Sequence, residues 1–565
     1  MNGNRAIIEQ FLADGITYMF GNPGTVEQGF LDALTDYPRM KYILTLQESI
    51  AVMAADGYAR AAKKPALVQI HSSPGLGNAI GALYQAKRGH SPLVVIGGDA
   101  GVKYQAMDAQ MAADLVAMAE PVTKYATCVN DAASLLRVLR RAVKIAATPP
   151  MGPVYVCLPA DVLDKPNEEP VRPAFVPSTC TVADAALIEE AAGLLLAAER
   201  PVIFYGDGVA RSGAEEQLTR VAEILGAEAY GADVGELNMD TMHPLCMGTT
   251  GHMFGPQSLP MTRKGDVNLI VGTYMLPEVF PELGDVFAPG AKVIHFDLNA
   301  YEIAKNHRVD IGAVCDPKVS LQALADVMMR KITPARRERS SIVLKKLKAE
   351  KAAQLAAELK RDLAKPASGP LRMSQFAAEL ARQMPADAVV FDEALTSSPE
   401  LTRHCPPQKP GHYFVTRGGS LGVGIPGAIG VRLAHPDRTV IGFTGDGGSM
   451  YTIQALWTAA HHGIGAKFVI CNNRSYRLLK LNIQHYWKDQ SVAERDFPAS
   501  FELSEPPLDF SSLARAQGVH GVKVDSADQI AGAIRAMFSE PGPFLIDLVL
   551  SPEVPGHPAA CKCGQ

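Results

Sequence analysis

Short apolar runs alternate with longer helix-like runs over the first 165 residues of the chain. The short runs are rich in Val, Ile and Leu and are bounded by Gly or Pro, which predicts buried strands. They occupy residues 40–46, 65–71, 91–98 and 152–159. The stretches ESIAVMAADGYARAA (48–62) and GNAIGALYQAKR (77–88) lie between them and have the pattern of helices. Because this alternation is typical of parallel sheets covered by helices, we expect an α/β domain here.

The same alternation recurs in two further segments of the chain. A Pro-rich stretch at 164–179 predicts a linker, and a charged stretch at 336–367 predicts a connecting helix and linker. The predicted domains are 1–165, 182–335 and 368–553, and a tail follows at 554–565. The predicted fold class is therefore α/β, with three consecutive doubly wound parallel-sheet domains.

The bulk composition narrows the class of protein. The chain has 565 residues, of which 47% are apolar and 20% charged, as is ordinary for a globular protein with several cores. Its net charge is −5 and it has no basic tract, so we expect neither a nucleic acid nor a membrane as a partner. It shows no apolar run of about 18 residues and no signal-peptide layout. These two features, together with nine scattered cysteines, predict a cytoplasmic protein with reduced thiols.

An acid and an amide stand 27 residues apart in the third segment. Asp446 follows the predicted strand TVIGFTG, and Asn473 follows the predicted strand AKFVICN. Because the carboxyl ends of neighbouring parallel strands lie side by side, one crossover would bring these side chains together. Carboxylate and amide oxygens suit Mg²⁺ or Ca²⁺, so this pair predicts a metal site.

The residues after Asp446 predict an anion site beside that metal. Gly447, Gly448 and Ser449 lie at the predicted start of the crossover helix, where backbone N–H groups and the helix dipole favour a phosphate. An Asp-Gly turn or an Asn-Asn strand end alone would be ordinary turn chemistry. Their placement on one crossover favours a metal that bridges the protein to a diphosphate. No GxxxxGK[ST] motif is present, which excludes a P-loop.

Several further motifs, in order along nearly the whole chain, resemble those of thiamine diphosphate (ThDP) enzymes. They are FGNPGT (20–25), LQESIAVMAADGYAR (46–60), HSSPGLGNAIGAL (71–83), HSPLVV (90–95), GGSLGVGIPGAIG (418–430) and YTIQALWTAA (451–460). The resemblance is to the decarboxylase and acetohydroxyacid synthase group, and most of all to benzoylformate decarboxylases. It implies the domain order pyrimidine-binding, central and diphosphate-binding. It also implies thiamine diphosphate and Mg²⁺ as cofactors, with Ca²⁺ as an alternative ion.

The resemblance implies roles for particular residues. Glu48 would hydrogen-bond N1′ of the aminopyrimidine and favour the imino tautomer, whose nitrogen removes the thiazolium proton. His71 would relay protons, and Thr25 would place a hydroxyl near the substrate. The implied cofactor-binding residues are Glu48, Asn78, Thr396, Gly419, Leu421, Gly447, Gly448, Ser449 and Tyr476. The implied metal ligands are Asp446, Asn473 and the backbone carbonyl of Ser475.

The central domain leaves the question of a nucleotide open. GDGVARSG (206–213) resembles a phosphate turn, and related enzymes hold FAD or ADP in this domain. Its spacing is not GxGxxG, which favours a turn that binds no nucleotide. The segment 272–284, where benzoylformate decarboxylases carry a second catalytic histidine, contains none, and this weakens benzoylformate as the substrate.

The implied activity is decarboxylation of a 2-keto acid, carboligation to an acyloin, or both. The alternatives are a 2-hydroxyacyl-CoA lyase or oxalyl-CoA decarboxylase-like enzyme, an acetolactate synthase-like transferase, and a non-catalytic protein with a degenerate site. The substrate would be a small 2-keto acid or an acyl-CoA. The resemblance also implies a homodimer at minimum, with a homotetramer preferred. The tail fits either a lid over the site entrance or a disordered end.

Overall fold

The computed structural model describes residues 1–364 and 369–554. Three six-stranded sheets follow one another along the chain, and their paired strands are parallel. Helices alternate with the strands, which confirms the predicted fold class of three consecutive doubly wound α/β domains. The exact domain boundaries stay a prediction, and residues 555–565 of the predicted tail lie outside the described residues.

The first sheet contains the predicted strands and two further ones, in the order β2-β1-β3-β4-β6-β5. Its strands are β1 (Tyr18–Gly21), β2 (Lys41–Leu44), β3 (Ala66–His71), β4 (Leu93–Asp99), β5 (Tyr125–Cys128) and β6 (Val154–Pro159). Its helices are α1 (Gly3–Ala13), α2 (Gln28–Leu34), α3 (Glu48–Ala62), α4 (Ser72–Arg88), α5 (Leu115–Ala119), α6 (Leu135–Ala147) and α7 (Ala160–Leu163). Neighbouring side chains of β3 enter separate cores, Val68 in one and Leu67 in the other, so both faces of the sheet are covered.

The second sheet has the order β12-β11-β10-β7-β8-β9. Its strands are β7 (Pro201–Tyr205), β8 (Glu228–Gly231), β9 (Cys246–Thr249), β10 (Val267–Val271), β11 (Lys292–Asp297) and β12 (Ile311–Val314). Its helices are α8 (Ala185–Ala197), α9 (Gly208–Ser212), α10 (Glu215–Leu225), α11 (Leu259–Thr262) and α12 (Pro317–Lys331). The charged segment that follows forms one long helix, α13 (Pro334–Leu363), and Leu344 and Leu347 pack it against the core of this central domain.

The third sheet, in the order β14-β13-β15-β16-β18-β17, repeats the topology of the first. Its strands are β13 (Val389–Glu393), β14 (Tyr413–Val415), β15 (Val440–Gly445), β16 (Lys467–Asn472), β17 (His520–Val524) and β18 (Phe544–Val549). Its helices are α14 (Met373–Gln383), α15 (Ser398–His404), α16 (Gly424–Ala434), α17 (Asp446–Ser449), α18 (Ala455–His461), α19 (Arg477–Asp489), α20 (Phe510–Ala516) and α21 (Ala527–Ser539). In such sheets, ligands bind at the carboxyl ends of strands where the strand order reverses, here beside β13 and β15.

The first and third domains pack through two helices that approach closely. A Cβ on Gly57 of α3 would overlap the carbonyl oxygen of Gly427 in α16, and a Cβ on Gly430 would overlap that of Ala54. Glycine at these positions therefore permits the contact that fixes one domain against the other within a chain. Across the described residues, none of the helices is both long enough and apolar enough to span a membrane.

The crossover after Asp446 differs from the single helix that we predicted. Residues Asp446–Ser449 form the separate short helix α17, and the longer helix α18 begins only at Ala455. The Thr452 hydroxyl donates to the Gly422 carbonyl at 2.6 Å, and this bond holds the intervening turn against a neighbouring loop. Gly447, Gly448 and Ser449 thus lie in a four-residue helix and not at the start of the crossover helix. Our prediction that they begin the crossover helix is therefore wrong, and the dipole of that helix cannot be the reason for a phosphate site here.

Candidate active site

Asp446 and Asn473 meet at the carboxyl edge of the third sheet. Asp446 follows β15, Asn473 follows β16, and the two strands are parallel neighbours. The backbone N–H of Ser475 donates to both side chains, at 3.2 Å to Asp446 Oδ2 and 3.1 Å to Asn473 Oδ1. The crossover therefore brings the two side-chain oxygens to one point, while their role as metal ligands stays a prediction.

The surroundings of this pair suit a hard divalent cation. Asp446 is 3% exposed, and among the described residues its carboxylate accepts hydrogen bonds from backbone N–H groups alone. Burial raises the pKa of the Asp446 carboxyl to about 6, although these N–H groups act to lower it. A buried carboxylate without a cation is unfavourable, so a bound cation would stabilise it. Arg474, with φ of +58°, makes the turn that carries the chain from Asn473 to Ser475.

The predicted diphosphate contacts form a closely packed turn beside the metal candidates. A Cβ on Gly447 would overlap the ring of Tyr476, so a larger residue here would have to displace that side chain. Gly448 is buried, and its Cβ would lie 3.3 Å from Thr444 Oγ1. The Ser449 side chain is also buried, and its hydroxyl donates to the Asp446 carbonyl at 2.8 Å. The hydroxyl of Ser449 thus stabilises the turn itself.

Glu48 is held between two asparagines at the first turn of α3. Its carboxyl group is buried, and it accepts hydrogen bonds of 3.0 Å from Asn22 Nδ2 and 3.0 Å from Asn78 Nδ2. A Cβ on Gly75 would lie 3.1 Å from Glu48 Oε1, so the glycine leaves room for the carboxyl. The two amides fix the orientation of the acid. The sequence analysis did not single out Asn22, although the residue belongs to the quoted FGNPGT motif.

The partly exposed His71 pairs with the buried Glu27, which the sequence analysis also missed. Its Nδ1 lies 3.0 Å from Glu27 Oε2. Burial raises the pKa of Glu27, although the neighbouring His71 acts to lower it. A Cβ on Gly24 would overlap the His71 ring, so the histidine packs against the FGNPGT turn, where Thr25 is exposed. The position of Glu27, two residues after this motif, was the available signal.

A cavity of about 1070 Å³ opens between the central and third domains. Thr396, Gly419 and Leu421 line it, together with Leu478 of α19. Gly418 and Gly419 have φ of +65° and +77°, which glycine adopts without strain. The cavity therefore joins three of the predicted cofactor-binding residues.

Glu393 connects the loops around this cavity and is another residue that the sequence analysis missed. It is buried and accepts hydrogen bonds from the N–H groups of Gly422 and Gly424 at 2.5 and 2.7 Å, and from Thr444 Oγ1 at 2.9 Å. Burial raises the pKa of Glu393 to about 7, although these hydrogen bonds act to lower it. Its place at the end of β13, the neighbour of β15, could have marked it from the sequence.

The GDG turn of the central domain packs against protein groups. The Asp207 carboxylate is buried and lies 2.7 Å from an Arg417 guanidinium nitrogen. Burial alone would raise the pKa of Asp207, but Arg417 helps to hold it below its usual value. A Cβ on Gly208 would lie 2.5 Å from the Cα of Gly272. Close packing therefore accounts for the glycine at 208, and the ion pair with Arg417 accounts for the acid at 207. Arg417 directly precedes the loop at 418–421, so the ion pair also connects this turn to the cavity.

The wall of the cavity contains a histidine from a segment that the sequence analysis did not consider. His252 and Pro277 both line the cavity. The backbone N–H of Val279 donates to the His252 carbonyl at 3.0 Å, which holds the two segments together. Residues 272–284 contain no histidine, but a neighbouring turn places one at the same wall. The two segments are separated in sequence, so spacing could not have found this placement.

The predicted residues of the first domain do not line this cavity, although Ser420 at its wall donates to the Gly81 carbonyl of α4 at 3.1 Å. Glu48, His71, Thr25 and Asn78 are not among the described residues that line it, which come from the central and third domains and from α13. The predicted residues thus fall into two groups, which we call half-sites. One contains Glu48 with its asparagines and the His71–Glu27 pair, and the other contains the Asp446 turn and the cavity loops.

Comparison with known proteins identifies the three domains. Family models match as the N-terminal TPP binding domain, the central domain and the C-terminal TPP binding domain of thiamine pyrophosphate enzymes, at residues 1–118, 188–324 and 396–548. A benzoylformate decarboxylase of Pseudomonas aeruginosa is 30% identical over 539 residues, covering 94% of this chain and 96% of that protein. A probable acetolactate synthase large subunit of Methanocaldococcus jannaschii is 29% identical over 564 residues, covering 98% and 92%.

Comparison with solved structures gives a consistent result. A thiamine diphosphate-dependent 4-hydroxybenzoylformate decarboxylase of Rhodococcus jostii matches with a TM-score of 0.84 and 26% sequence identity. The match covers 98% of this chain and 100% of that one. The arrangement of all three domains is therefore shared with a solved structure.

Proposed function

The chain belongs to the thiamine pyrophosphate enzyme family that includes decarboxylases and acetolactate synthases, and on this premise we propose that it decarboxylates a 2-keto acid and can join the product to an aldehyde. The observation that carries the proposal is the convergence of Asp446 Oδ2 and Asn473 Oδ1 on one N–H, beside a glycine turn. A buried carboxylate and an amide in this arrangement fit Mg²⁺. The Ser475 carbonyl is the third proposed ligand, and the metal would hold the cofactor diphosphate.

The proposed chemistry assigns a task to each half-site. Thiamine diphosphate, when bound, supplies a carbon nucleophile and an electron sink for breaking a bond next to a carbonyl. Glu48, oriented by its two asparagines, would share a proton with the aminopyrimidine. His71 faces Glu27 through Nδ1, which leaves Nε2 to hold or deliver a proton at the substrate. Gly419 and Leu421 would shape the seat of the cofactor.

We also propose that two chains share each active site. The first-domain half-site does not line the cavity between the central and third domains, and large apolar side chains close in sequence to both half-sites are exposed. Leu46 and Tyr84 lie near Glu48 and Asn78 in sequence, and Met450 and Tyr451 follow the Asp446 turn; each of the four is at least two-fifths exposed. Such patches fit burial at an interface between chains. A homodimer is the smallest assembly that satisfies this, and the preferred homotetramer would contain two such pairs.

Acetolactate synthase-like carboligation is the second candidate. The synthase of Methanocaldococcus jannaschii is as similar to this chain as the decarboxylase of Pseudomonas aeruginosa, at 29% against 30% identity. Both activities begin with a 2-keto acid and differ in what captures the product. The two are therefore separated by the product that forms from one substrate.

The test is a panel of 2-keto acids, including pyruvate and benzoylformate, with ThDP and Mg²⁺ and with or without an aldehyde acceptor. We expect CO₂ release, with aldehyde as the product alone and acyloin when the acceptor is present. The Glu48→Gln variant is the control and should release little CO₂. Formation of acetolactate from pyruvate, with no free aldehyde, would favour the second candidate. No CO₂ from any acid, with ThDP bound, would reject the proposal.

A further inference from the structure

The cavity beside the loop at 418–421 extends well beyond the predicted cofactor residues. It measures about 1070 Å³, just above the roughly 300–1,000 Å³ that is common for ligand pockets. From Thr396 and Leu421 it reaches α13, where Leu347 and Leu355 line it. A donor as small as pyruvate would leave the part along α13 unfilled.

Most of the wall of the whole cavity is apolar, although α13 also contributes Glu350, Lys351, Gln354 and Glu358. The central domain contributes Leu237, Met239, Met242 and Met247. Methionine side chains are flexible and polarizable, so they adapt to apolar ligands of varied shape. The wall thus suits a hydrocarbon chain better than a polar group.

The cationic side chains at the wall already have protein partners. Lys351 Nζ donates to the carbonyls of His243 and Cys246 at 2.7 and 2.6 Å. Arg403 lies 3.1 Å from Glu358 Oε2 and also pairs with Asp362 at 2.7 Å. Arg417 is paired with Asp207, as described above. A phosphate group entering here would have to displace these contacts.

The balance of charge at the wall is also negative. Its described acidic residues are Asp233, Glu236, Glu350, Glu358 and Asp392, and its described basic residues are Lys351, Arg403 and Arg417. Coenzyme A carries several phosphate charges, which such a wall repels. An uncharged chain meets no such penalty.

We propose that this cavity takes a long alkyl substituent of the acyl donor, so that the substrates are 2-keto acids with extended apolar side chains and not coenzyme A thioesters. The inference rests on the proposed function and specifies its substrate class. The carboxylate and carbonyl would lie at the cofactor end, near Leu421, and the alkyl chain would extend toward Leu347. Each buried methylene would then contribute binding energy.

The test is a series of linear donors: pyruvate, 2-ketobutyrate, 2-ketohexanoate and 2-ketooctanoate. We expect kcat/KM for CO₂ release to rise about fourfold for each added methylene until the cavity is filled. A flat or falling series would overturn the inference and leave the proposed function in place. Absence of CO₂ from every donor would instead reject the proposed function.

Two matched Met→Trp variants test whether the preference for long donors arises in this cavity. Met247 lines the cavity and is 38% exposed, whereas Met329 of α12 is 40% exposed and is not among the described lining residues. Met247→Trp should lower the ratio of kcat/KM for 2-ketooctanoate to that for pyruvate about tenfold, because the ring would fill part of the space. Met329→Trp should leave that ratio unchanged. Equal ratios in both variants would show that this cavity does not set the preference for long donors.

Calorimetry with octanoate and acetate tests the cavity without turnover. Octanoate should bind the ThDP- and Mg²⁺-loaded protein more tightly than acetate does, and Met247→Trp should remove most of the difference. Equal affinity for the two acids would contradict the inference, whatever the enzyme assay shows.

Discussion

Two Gly-Asp-Gly turns follow parallel strands in this chain, and they differ in what surrounds the aspartate. Asp207 follows β7 and is 4% exposed, and Asp446 follows β15 and is 3% exposed. Asp207 is paired with the Arg417 guanidinium, whereas the described groups that donate to the Asp446 carboxylate are backbone N–H groups. The pKa of Asp207 is held below its usual value, and that of Asp446 is raised to about 6.

This comparison indicates that the group that compensates the charge of the buried aspartate determines whether the turn stabilises the fold or is left to bind a ligand. In the central domain, an arginine of the protein supplies the charge and the turn becomes a junction between domains. In the third domain, the described neighbours of the Asp446 carboxylate are the Asn473 amide and backbone N–H groups, so a compensating charge would have to be supplied by a bound cation. The same three residues therefore give a structural ion pair in one place and a candidate metal site in the other.

Removing the acid of the candidate metal site should have the largest effect. Asp446→Ala should abolish Mg²⁺-dependent ThDP binding and CO₂ release, because the proposed metal loses its one charged ligand. Its unfolding temperature without cofactor should stay near that of the parent protein, since burial of this carboxylate is unfavourable. Asp437→Ala, at an exposed aspartate nearby in sequence, is the control. Tight ThDP binding by Asp446→Ala would remove the contrast between the two turns.

Mixing variants tests whether Asp446 works with Glu48 of another chain. Glu48→Gln and Asp446→Ala should each be inactive alone. After subunit exchange, some activity should return, because some mixed dimers contain one site without either change. Mass spectrometry of the intact assembly verifies the exchange, and exchange without recovery would show that both residues act within one chain.

Asp207→Asn should affect folding more than chemistry. The change leaves Arg417 buried with Asp233, at 3.0 Å, as its remaining carboxylate, so the free energy of unfolding should fall by less than the roughly 3–5 kcal/mol expected when a buried charge loses its only partner. Urea denaturation measures the loss, and calorimetry on the folded fraction should still detect ThDP binding. A stability loss below about 0.5 kcal/mol, together with lost ThDP binding, would mean that this turn also serves the cofactor.

The glycines after the two acids should give the smallest effects. A Cβ on Gly208 would lie 2.5 Å from the Cα of Gly272, which cannot move aside, so Gly208→Ala should cost about 1–3 kcal/mol. A Cβ on Gly447 would meet the Tyr476 ring, a half-buried side chain that can shift. Gly447→Ala should therefore lower stability less and ThDP affinity more. If Gly447→Ala lowered stability more than Gly208→Ala and lowered ThDP affinity less, the distinction between the two turns would be contradicted.

The alternation of strands and helices was sufficient to predict the fold, because buried parallel strands are marked by continuous Val and Ile runs. The placement of Asp446 and Asn473 was predictable for the same reason, since one crossover fixes the distance between neighbouring strand ends. The interrupted helix between them was not predictable. It depends on the Thr452 hydroxyl and the Gly422 carbonyl, a contact between loops distant in sequence.

Several residues that the sequence analysis missed also depend on contacts between segments distant in sequence. Glu27 and Asn22 lie in or just after the FGNPGT motif, but their partners His71 and Glu48 lie 44 and 26 residues away. His252 reaches the cavity wall through a backbone contact with Val279. Periodicity and spacing describe one element or one crossover, and these pairs join separate loops.

Titration of ThDP into the protein by calorimetry, with Mg²⁺ and then with a chelator, tests the central claim most directly. We predict saturable binding of one ThDP per chain with Mg²⁺ and no measurable binding with the chelator, because Asp446 and Asn473 would hold the diphosphate through the metal. Equal binding in both conditions, or none in either, would contradict the account.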